Sequence, residues 1–436
     1  RKFKIPDGLR GHFTVLVEIE ASGGKKIEKR ASFVIVPRRK KGFKDPDECY
    51  FSIYNWHIVN ELHARLGVGL QMLEVTGSWK IPDTPAAYDK LVYSPGRKLG
   101  ISFAVRPWRD TNNNTRAPKD MAEFGEFVYG VADYFSKKGA THFDTWNEPQ
   151  FWLAGTKMQT ARVMKETYMS IRRANPKATI AGPGLLGNMS YNRQLLRAAK
   201  KVAEKEGLEE HFPFYDIHNI HYGPFPYETE YVKYIRRHRA LLDEFDVRKH
   251  MLMWNTEMSP PSGHVNNKTT HDPKRYWHNI AKYWLRQCLV GFPEGVRHNL
   301  IFMMGSVFRG SGSINVRNFS ASNWEATQMY ASVATAIDQI EATRYEKKLD
   351  MDENVWVLQF RRKDNGRNLV LWTFEDTSTS PWTNRVVTVK IPVKSKTVVH
   401  VDMMGMAKTL EAKDGVVEVR IDGRPSYLQD PPRGKE

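Results

Sequence analysis

Between residues 50 and 341, short apolar runs alternate with longer stretches in which apolar residues recur at helical spacing. One such stretch places Ile280, Tyr283, Trp284 and Cys288 on a single helical face. This alternation is typical of βα units around a parallel sheet, and it constrains the fold more than any other feature of the chain. A parallel sheet also brings the carboxyl ends of its strands to one edge, where α/β proteins keep their chemistry.

The segment contains eight candidate strands and eight candidate helices. The predicted strands are Tyr50–Tyr54, Gly69–Val75, Ile101–Arg106, Thr141–Trp146, Ala178–Ala181, Phe214–His221, Met251–Thr256 and His298–Met304. The predicted helices are Trp56–Leu66, Ala86–Lys98, Pro118–Lys138, Lys157–Ala174, Tyr191–Glu206, Glu228–Phe245, Lys274–Val290 and Trp324–Glu341. Eight such units fit a closed (β/α)8 TIM barrel. An open doubly wound sheet is the alternative, but no glycine-rich phosphate loop follows any of the strands.

The two ends of the chain have a different pattern. After Thr343, short β-like runs are separated by Asp-Gly and Asp-Asn-Gly turns. At the amino terminus, residues 11–20 and 29–37 predict a hairpin, which would be marginal on its own in water. We therefore predict an α/β protein in which a TIM barrel carries an accessory all-β sandwich. The predicted barrel covers residues 46–343 and the sandwich 344–430. A hairpin region over 1–45 is predicted to form part of the sandwich, and 431–436 is predicted to be a disordered tail.

Composition limits the class of protein. The chain has 436 residues, of which 41% are hydrophobic and 26% charged, as expected of a globular protein with one large and one accessory domain. No apolar segment approaches the roughly 18–20 residues that cross a bilayer, so no membrane partner is expected. The formal net charge of +17 favours a polyanionic partner, with a generally basic, solvated surface as the alternative.

The compartment is indicated by the chain start and the cysteines. The start, Arg1-Lys-Phe-Lys-Ile-Pro, lacks the apolar region of a signal peptide, and there is no initiator Met. We expect a secreted or periplasmic protein whose signal segment lies upstream of this chain. Cys49 and Cys288 are too few for a disulfide framework. We expect Cys288 to be a buried free thiol, with a bridge to Cys49 as the less favoured alternative.

The strongest local signal is Trp146-Asn147-Glu148-Pro149, where an apolar-rich run breaks off at a carboxylate. Pro149 offers no N–H to a strand ladder, so Glu148 is predicted to stand at the carboxyl end of the fourth strand. Crowding by Trp146, Phe151 and Trp152 would desolvate this carboxyl group and suit it to donate a proton. Taken alone, Glu148 is better explained as an ordinary loop carboxylate. The barrel pattern and a second carboxylate are what favour the catalytic interpretation.

That second carboxylate is Glu257, which follows a short apolar run and precedes Pro260-Pro261. It should reach the same edge of the sheet, although a strand-end Glu paired with Arg or Lys is the alternative. Glycoside hydrolysis requires one acid that protonates the leaving oxygen and one carboxylate opposite it. The pair therefore predicts this reaction, with Asn147 placed to hold a sugar hydroxyl.

His221-Tyr222 falls at the predicted end of the sixth strand, one unit before Glu257. Both side chains could donate hydrogen bonds to the Glu257 carboxylate, which must stay ionised to act as a nucleophile. A satisfied structural histidine is the alternative. His218 is a rival for the role, but in a regular strand it would face the other way from His221.

Aromatic and arginine residues recur at or just beyond the predicted strand ends. They are Trp79, Arg106, Trp108, Arg109, Phe151, Trp152, Phe308 and Arg309. Aromatic rings bind the C–H faces of sugars, and arginines bind carboxylates or sulfates at two points. Each residue alone would be ascribed to packing or surface, but together they indicate subsites for an anionic glycan. No metal or cofactor is predicted, because the histidines lack HExxH or comparable spacing and no P-loop is present.

These motifs resemble those of the retaining glycoside hydrolases of clan A, most closely family 39 and its neighbours, which include β-xylosidases and α-L-iduronidases. The resemblance rests on residues 146–149, His221-Tyr222 and Glu257. It implies a β-sandwich packed on the barrel, with Glu148 as the acid/base and Glu257 as the nucleophile. It further implies that Asn147 contacts the 2-hydroxyl and that His221 or Tyr222 neighbours the nucleophile.

The sequence thus predicts a retaining glycosidase that cleaves a polysaccharide or oligosaccharide by double displacement. The positive charge favours an acidic or sulfated substrate. A carbohydrate-binding protein without activity, on the same scaffold, is the second hypothesis, and the presence of both carboxylates argues against it. A nucleic-acid binder is supported by charge alone; since no nucleic-acid module is recognisable, no such partner is expected.

Overall fold

The computed structural model describes fifteen separate parts of the chain. They are residues 9–20, 24, 26–36, 50–55, 70–74, 98–102, 117–118, 120–152, 155–247, 251–258, 273–301, 308–310, 324–326, 328–374 and 385–431. Within them the chain forms one eight-stranded sheet, one six-stranded sheet and three two-stranded sheets. The candidate site lies on the eight-stranded sheet.

The first two strands, β1 Gly11–Glu20 and β2 Lys26–Ile35, form an antiparallel hairpin near the amino terminus. The hairpin is a sheet of its own and does not continue either of the larger sheets. Its base packs against the rest of the protein, because Val34 and Val36 lie against the largest apolar core. The predicted hairpin is therefore present, starting three residues earlier in its second strand than the pattern indicated.

The eight-stranded sheet is entirely parallel. Its strands are β3 Phe51–Asn55, β4 Leu70–Glu74, β5 Lys98–Ser102, β6 Ala140–Asp144, β7 Thr179–Ala181, β8 His218–His221, β9 Met253–Met258 and β10 Val296–Ile301. Their order is β7-β6-β5-β4-β3-β10-β9-β8. Strands that are consecutive in the chain therefore pair with each other, except β7 and β8 at the two ends of the order, and the last strand, β10, pairs with the first, β3. All eight predicted strands are present, with boundaries displaced by a few residues.

The two edge strands of this order, β7 and β8, are joined by two isolated parallel bridges, Ala181 with Ile217 and Leu185 with Ile220. Strands that are not neighbours also share one apolar cluster, formed by Leu70, Met72, Ala181, Ile217, Trp254 and Leu300. Within it the Trp254 ring lies 5.4 Å from that of His142 and 4.6 Å from that of His298, centroid to centroid. The sheet therefore curves around an interior filled by its own side chains.

Helices follow the strands. They are α1 Met121–Lys137, α2 Pro149–Trp152, α3 Lys157–Ala174, α4 Met189–Glu206, α5 Val232–Glu244, α6 Pro273–Gly291 and α7 Gln328–Ile340. Side-chain caps fix two of the starts: Asp120 accepts backbone N–H bonds at the start of α1, and Thr156 forms a capping box with Gln159 at the start of α3. The predicted helix at 56–66, and all of that at 86–98 except Lys98, lie outside the described residues.

Two predicted helices differ from the observed ones. The helix predicted from Trp324 begins at Gln328, because Trp324–Ala326 forms strand β12, which pairs with β11 Phe308–Gly310. The helix predicted from Glu228 begins as a π-helical turn over Tyr227–Tyr231 before α5. The sixth strand is also shorter than predicted, since Phe214 has a φ of 68° and breaks the extended backbone.

The carboxyl-terminal part is all β. Its strands are β13 Arg344–Lys348, β14 Val355–Arg361, β15 Arg367–Thr373, β16 Val387–Pro392, β17 Thr397–Val401, β18 Ala407–Glu411, β19 Val416–Ile421 and β20 Ser426–Asp430. Six of them form an antiparallel sheet in the order β13-β14-β15-β20-β17-β18, and β16 pairs with β19. Both sheets contribute to one apolar core, for example through Val357, Leu369, Val389 and Val419.

The opposite face of the six-stranded sheet packs on the helices of the larger sheet. Trp356 and Trp372 share an apolar core with Trp284 of α6 and Ile337 of α7. Cys288, in the same core, is a buried free thiol as predicted, whereas Cys49 lies outside the described residues. Of the predicted tail, 432–436 lie outside the described residues as well. Within the part of the chain described here, no helix has the length and apolar character needed to span a membrane.

Candidate active site

Glu148 lies between β6 and the short helix α2, which starts at Pro149. Proline suits the first helical position because its missing N–H would have no partner there. Glu148 itself has a φ of +41°, a left-handed conformation that costs a non-glycine residue about 1–2 kcal/mol. Its side chain is buried, with 6% exposure. The turn therefore holds a strained, buried carboxylate beyond the carboxyl end of β6.

Glu257 lies inside β9, not beyond its end as predicted, because the strand extends to Met258. Against β8, Asn255 is opposite Ile220 and Glu257 is opposite His221, so one extra residue, Thr256, is inserted in β9. A bulge of this kind lets two consecutive side chains approach the same neighbour. Glu257 is buried, with 5% exposure, and lies directly beside His221.

His221 connects the two carboxylates. Its Nδ1 atom lies 2.8 Å from Glu257 Oε2 and 3.1 Å from Glu148 Oε1. Tyr222, which follows in the chain, donates its hydroxyl to Glu257 Oε1 at 2.7 Å. The structure thus brings together the four central residues of the sequence prediction, whereas His218 is bonded to His238 on another side of β8, at 2.9 Å.

The two carboxylates lie close to each other. One oxygen of Glu148, one of Glu257 and a ring nitrogen of His221 all lie within 4.8 Å of one another. The two carboxylates are therefore close enough to act on the same bound molecule.

The protonation states follow from this packing. Burial lowers the pKa of His221, but the hydrogen bonds to Glu148 and then Glu257 outweigh burial and raise the pKa to about 9. Burial and the Glu257 charge raise the pKa of the Tyr222 phenol well above its ordinary value, so it remains a donor. The three ligand-capable side chains are close enough for a metal ion by distance alone. A metal ion would have to displace the proton from His221 Nδ1, and the raised pKa of His221 makes that less favourable at neutral pH.

Two further side chains hold the loops that carry these groups. Asn255 donates its amide to the carbonyl oxygen of Tyr222 at 2.6 Å and to the Tyr231 hydroxyl at 2.9 Å. Tyr234 of α5 donates to the carbonyl oxygen of His221 at 2.9 Å. Since Tyr222 has a φ of +57°, a second strained residue is fixed at the site by these bonds.

A chain of polar side chains runs behind His221. Its Nε2 atom lies 3.1 Å from the Thr256 hydroxyl, which lies 2.8 Å from Asn219 Oδ1. The Asn219 amide in turn donates to Asp144 Oδ1 at 3.0 Å and to the carbonyl oxygen of Gly182 at 3.1 Å. Thr256, Asn219 and Asp144 were not predicted from the sequence as site residues. Strand alternation could have indicated Asn219, which is two positions before His221 and so on the same face.

Gly184, also missed, packs against the His221 ring. A Cβ atom at this position would lie 1.9 Å from Nε2 and 2.2 Å from Cε1 of His221. Its backbone N–H donates to the carbonyl oxygen of Trp146 at 2.9 Å, which ties the loop after β7 to the loop after β6. Any side chain here would have to displace the histidine.

The remaining predicted binding residues are less defined. Asn147 is half-buried beside Glu148. Trp152 is the last residue of α2, and Phe308 and Arg309 lie in β11, but their side chains are outside the described part of the structure, as are Trp79, Arg106, Trp108 and Arg109 altogether. Trp146 packs in the apolar core against Phe124, and Phe151 is 69% exposed. The desolvation of Glu148 therefore does not come from Phe151.

Comparison with solved structures identifies the class of fold. A family 39 glycoside hydrolase from the gut symbiont Bacteroides cellulosilyticus WH2 matches with a TM-score of 0.69 and 15% identity, over 96% of this chain and 88% of that chain. A glucosidase from Croceicoccus marinus matches with a TM-score of 0.59 and 12% identity, over 86% and 92%. The catalytic domain of a family 30 xylanase C from Talaromyces cellulolyticus matches with a TM-score of 0.53 and 12% identity, over 85% and 89%.

These neighbours are clan A glycoside hydrolases, a group whose fold is the TIM barrel. The chain matches these enzymes over most of its length, and the resemblance to family 39 and its clan A neighbours predicted from the motifs is confirmed at the level of the fold. No protein-family model matches the sequence, and no curated protein matches it.

Proposed function

We propose that the protein is a retaining glycoside hydrolase. The observation that carries this proposal is the cluster of Glu148, His221 and Glu257, in which two buried carboxylates approach within 4.8 Å at the carboxyl ends of parallel strands. That edge is where TIM-barrel enzymes place catalytic groups. The fold shared with clan A enzymes supports the same interpretation.

The reaction proceeds by double displacement. Glu257 attacks the anomeric carbon while Glu148 protonates the leaving oxygen, giving a glycosyl ester on Glu257. Glu148 then takes a proton from water as the water oxygen attacks the same carbon and Glu257 leaves. Tyr222 and His221 each donate to Glu257, which keeps it ionised before attack, and Asn147 lies beside Glu148 to contact the 2-hydroxyl.

The proposal includes the domain organisation. The bridges between the edges of the eight-stranded sheet and its filled interior support a closed (β/α)8 barrel over 46–343. The shared core of the two carboxyl-terminal sheets supports a β-sandwich over 344–430. The hairpin region, 1–45, belongs with that accessory unit, since Arg10 N–H contacts Met406 Sδ in the turn before β18.

The substrate class is proposed from charge. A net charge of +17 attracts polyanions, so an acidic or sulfated polysaccharide is favoured over a neutral one. The proposal includes a secreted or periplasmic location for the protein.

A panel of neutral, uronic and sulfated polysaccharides, together with 4-nitrophenyl glycosides, tests the activity through new reducing ends or released nitrophenol. We expect cleavage of at least one anionic polysaccharide by the wild-type protein and none by Glu257→Ala. Binding without cleavage across the panel would instead indicate the carbohydrate-binding protein. Cleavage by both proteins would show that a contaminating enzyme is responsible.

Substitution of Gly184 tests the packing of His221. We expect Gly184→Ala to lower kcat/KM by about 100-fold, because the added Cβ overlaps the imidazole and moves it from both carboxylates. Gly155→Ala is the matched control, since its Cβ would meet only the flexible side chain of Gln159. Steady-state kinetics together with thermal unfolding separate an effect on the site from loss of fold. Wild-type kinetics for Gly184→Ala would contradict this placement of His221.

A further inference from the structure

We propose that His221 stores the proton that Glu148 delivers to the leaving group, and that Thr256, Asn219 and Asp144 hold His221 in the doubly protonated form that this requires. The inference rests on the proposed function and assigns positioning roles to three residues outside the catalytic pair. The three come from different strands: Asp144 from β6, Asn219 from β8 and Thr256 from β9.

The direction of each hydrogen bond in the chain from His221 Nε2 to Asp144 can be assigned by starting at the Asp144 end. Asp144 Oδ1 and the carbonyl oxygen of Gly182 can only accept, so both must face the amide nitrogen of Asn219. Asn219 Oδ1 therefore faces Thr256 and accepts its hydroxyl proton. A threonine hydroxyl has one proton to donate. The Thr256 oxygen must consequently accept from His221, and Nε2 carries a hydrogen.

The hydrogen-bond partners of Nδ1 also indicate that His221 is doubly protonated. Nδ1 faces oxygens of both Glu148 and Glu257, which are acceptors when ionised, so this nitrogen also carries a hydrogen. Among the described residues, the titratable and charged groups around the ring are Glu148 from the β6–α2 turn, Glu257 from β9, Asp144 from β6, and the phenols of Tyr222 and of Tyr234 on α5. The three carboxylates among them favour an imidazolium. This agrees with the raised pKa of His221.

The proton can pass from this cation to Glu148 without a third group. The Nδ1 hydrogen transfers to Glu148 Oε1, which lies 3.1 Å from Nδ1. This leaves a neutral His221 that still donates its Nε2–H to Thr256. Glu148 then gives the proton to the glycosidic oxygen as the bond to the anomeric carbon breaks and Glu257 forms its ester. In the second step water loses a proton to Glu148, which returns it to Nδ1. Each cycle thus restores the starting proton count.

The pH dependence of kcat/KM tests whether His221 stores the proton. In the wild-type protein kcat/KM should decrease above about pH 9 (the alkaline limb of the profile), where the proton shared by His221 and Glu148 is lost. Thr256→Val keeps the shape of the side chain but removes the acceptor for Nε2–H, so the limb should move to lower pH by about one unit. Thr256→Ser keeps the hydroxyl and should retain the wild-type limb. If Thr256→Val lowers kcat but leaves the limb in place, Thr256 has only a structural role and the proposal fails.

The charge state can be measured without substrate. In protein carrying ¹⁵N-labelled histidine, the ring signals lost in His221→Asn belong to His221. Both of its nitrogens should be protonated at pH 7.5, and in Thr256→Val they should titrate at lower pH. A singly protonated ring at pH 7.5 would overturn the proton store even if the protein hydrolyses glycosides. A doubly protonated ring in a protein that cleaves nothing would instead overturn the proposed function, and the store with it.

Discussion

Replacing Glu257 by alanine is expected to reduce kcat by about 10⁵-fold, because no other described group can attack the anomeric carbon in its place. The variant should remain folded. Glu148 Oε1 still lies 3.1 Å from His221 Nδ1 in the absence of Glu257, so the buried histidine keeps a hydrogen-bond partner. Steady-state kinetics on the 4-nitrophenyl glycoside found in the panel give the size of the loss.

Rescue of Glu257→Ala by azide tests the role of Glu257 more specifically. The alanine leaves a cavity on the face of the sugar from which Glu257 attacks, and a small anion can react there. Azide should then restore release of nitrophenol and give a glycosyl azide of inverted configuration, since only one displacement occurs. Glu244→Ala is the control, because this carboxylate is partly exposed in α5 and its pairing with Arg193 on the surface contributes about 1 kcal/mol at most. Full activity in Glu257→Ala would contradict the assignment.

Replacing Glu148 by glutamine is expected to slow hydrolysis of poor leaving groups by about 10²–10⁴-fold, the usual contribution of a general acid. Glutamine has nearly the same shape and can still accept from His221, but it cannot deliver a proton to the leaving oxygen. The left-handed backbone at this position is common to both side chains, so the strain should not change. Kinetics on a series of aryl glycosides with increasingly acidic phenols measure the effect.

The dependence on leaving group identifies the role of Glu148. Glycosides of acidic phenols need no protonation, so their first step should remain fast in Glu148→Gln. The second step should then limit turnover, because no base activates water, and a burst of phenol should precede a slow steady state. Glu244→Gln should behave as wild type. An equal loss for good and poor leaving groups would contradict the role of Glu148 as the acid.

The order of strands and the two glutamates could be predicted because both depend on local patterns. Apolar runs between helical stretches mark buried parallel strands. Proline shortly after each run marks Glu148 and Glu257 as lying near the carboxyl ends of their strands. Strands β13, β18 and β20 were not predicted. β13 and β18 are the two edges of the six-stranded sheet, where charged and exposed residues replace the apolar pattern, whereas β20 is buried between β15 and β17.

The details of the site could not be predicted because they depend on one extra residue in β9. In a regular strand, Thr256 would face away from Glu257. The bulge against β8 lets both side chains reach His221, and no periodicity in the sequence marks it. The fit of Gly184 against the histidine ring is likewise a contact between loops of different strands, which only the folded chain brings together.

The configuration of the first product tests the central claim most directly. Proton NMR of the anomeric region, recorded in the first minutes after the wild-type protein is mixed with its 4-nitrophenyl glycoside, distinguishes the two anomers before they equilibrate. Two carboxylates within 4.8 Å, one of them a nucleophile, predict a product with the same configuration as the substrate. A first product of opposite configuration would contradict a covalent intermediate on Glu257.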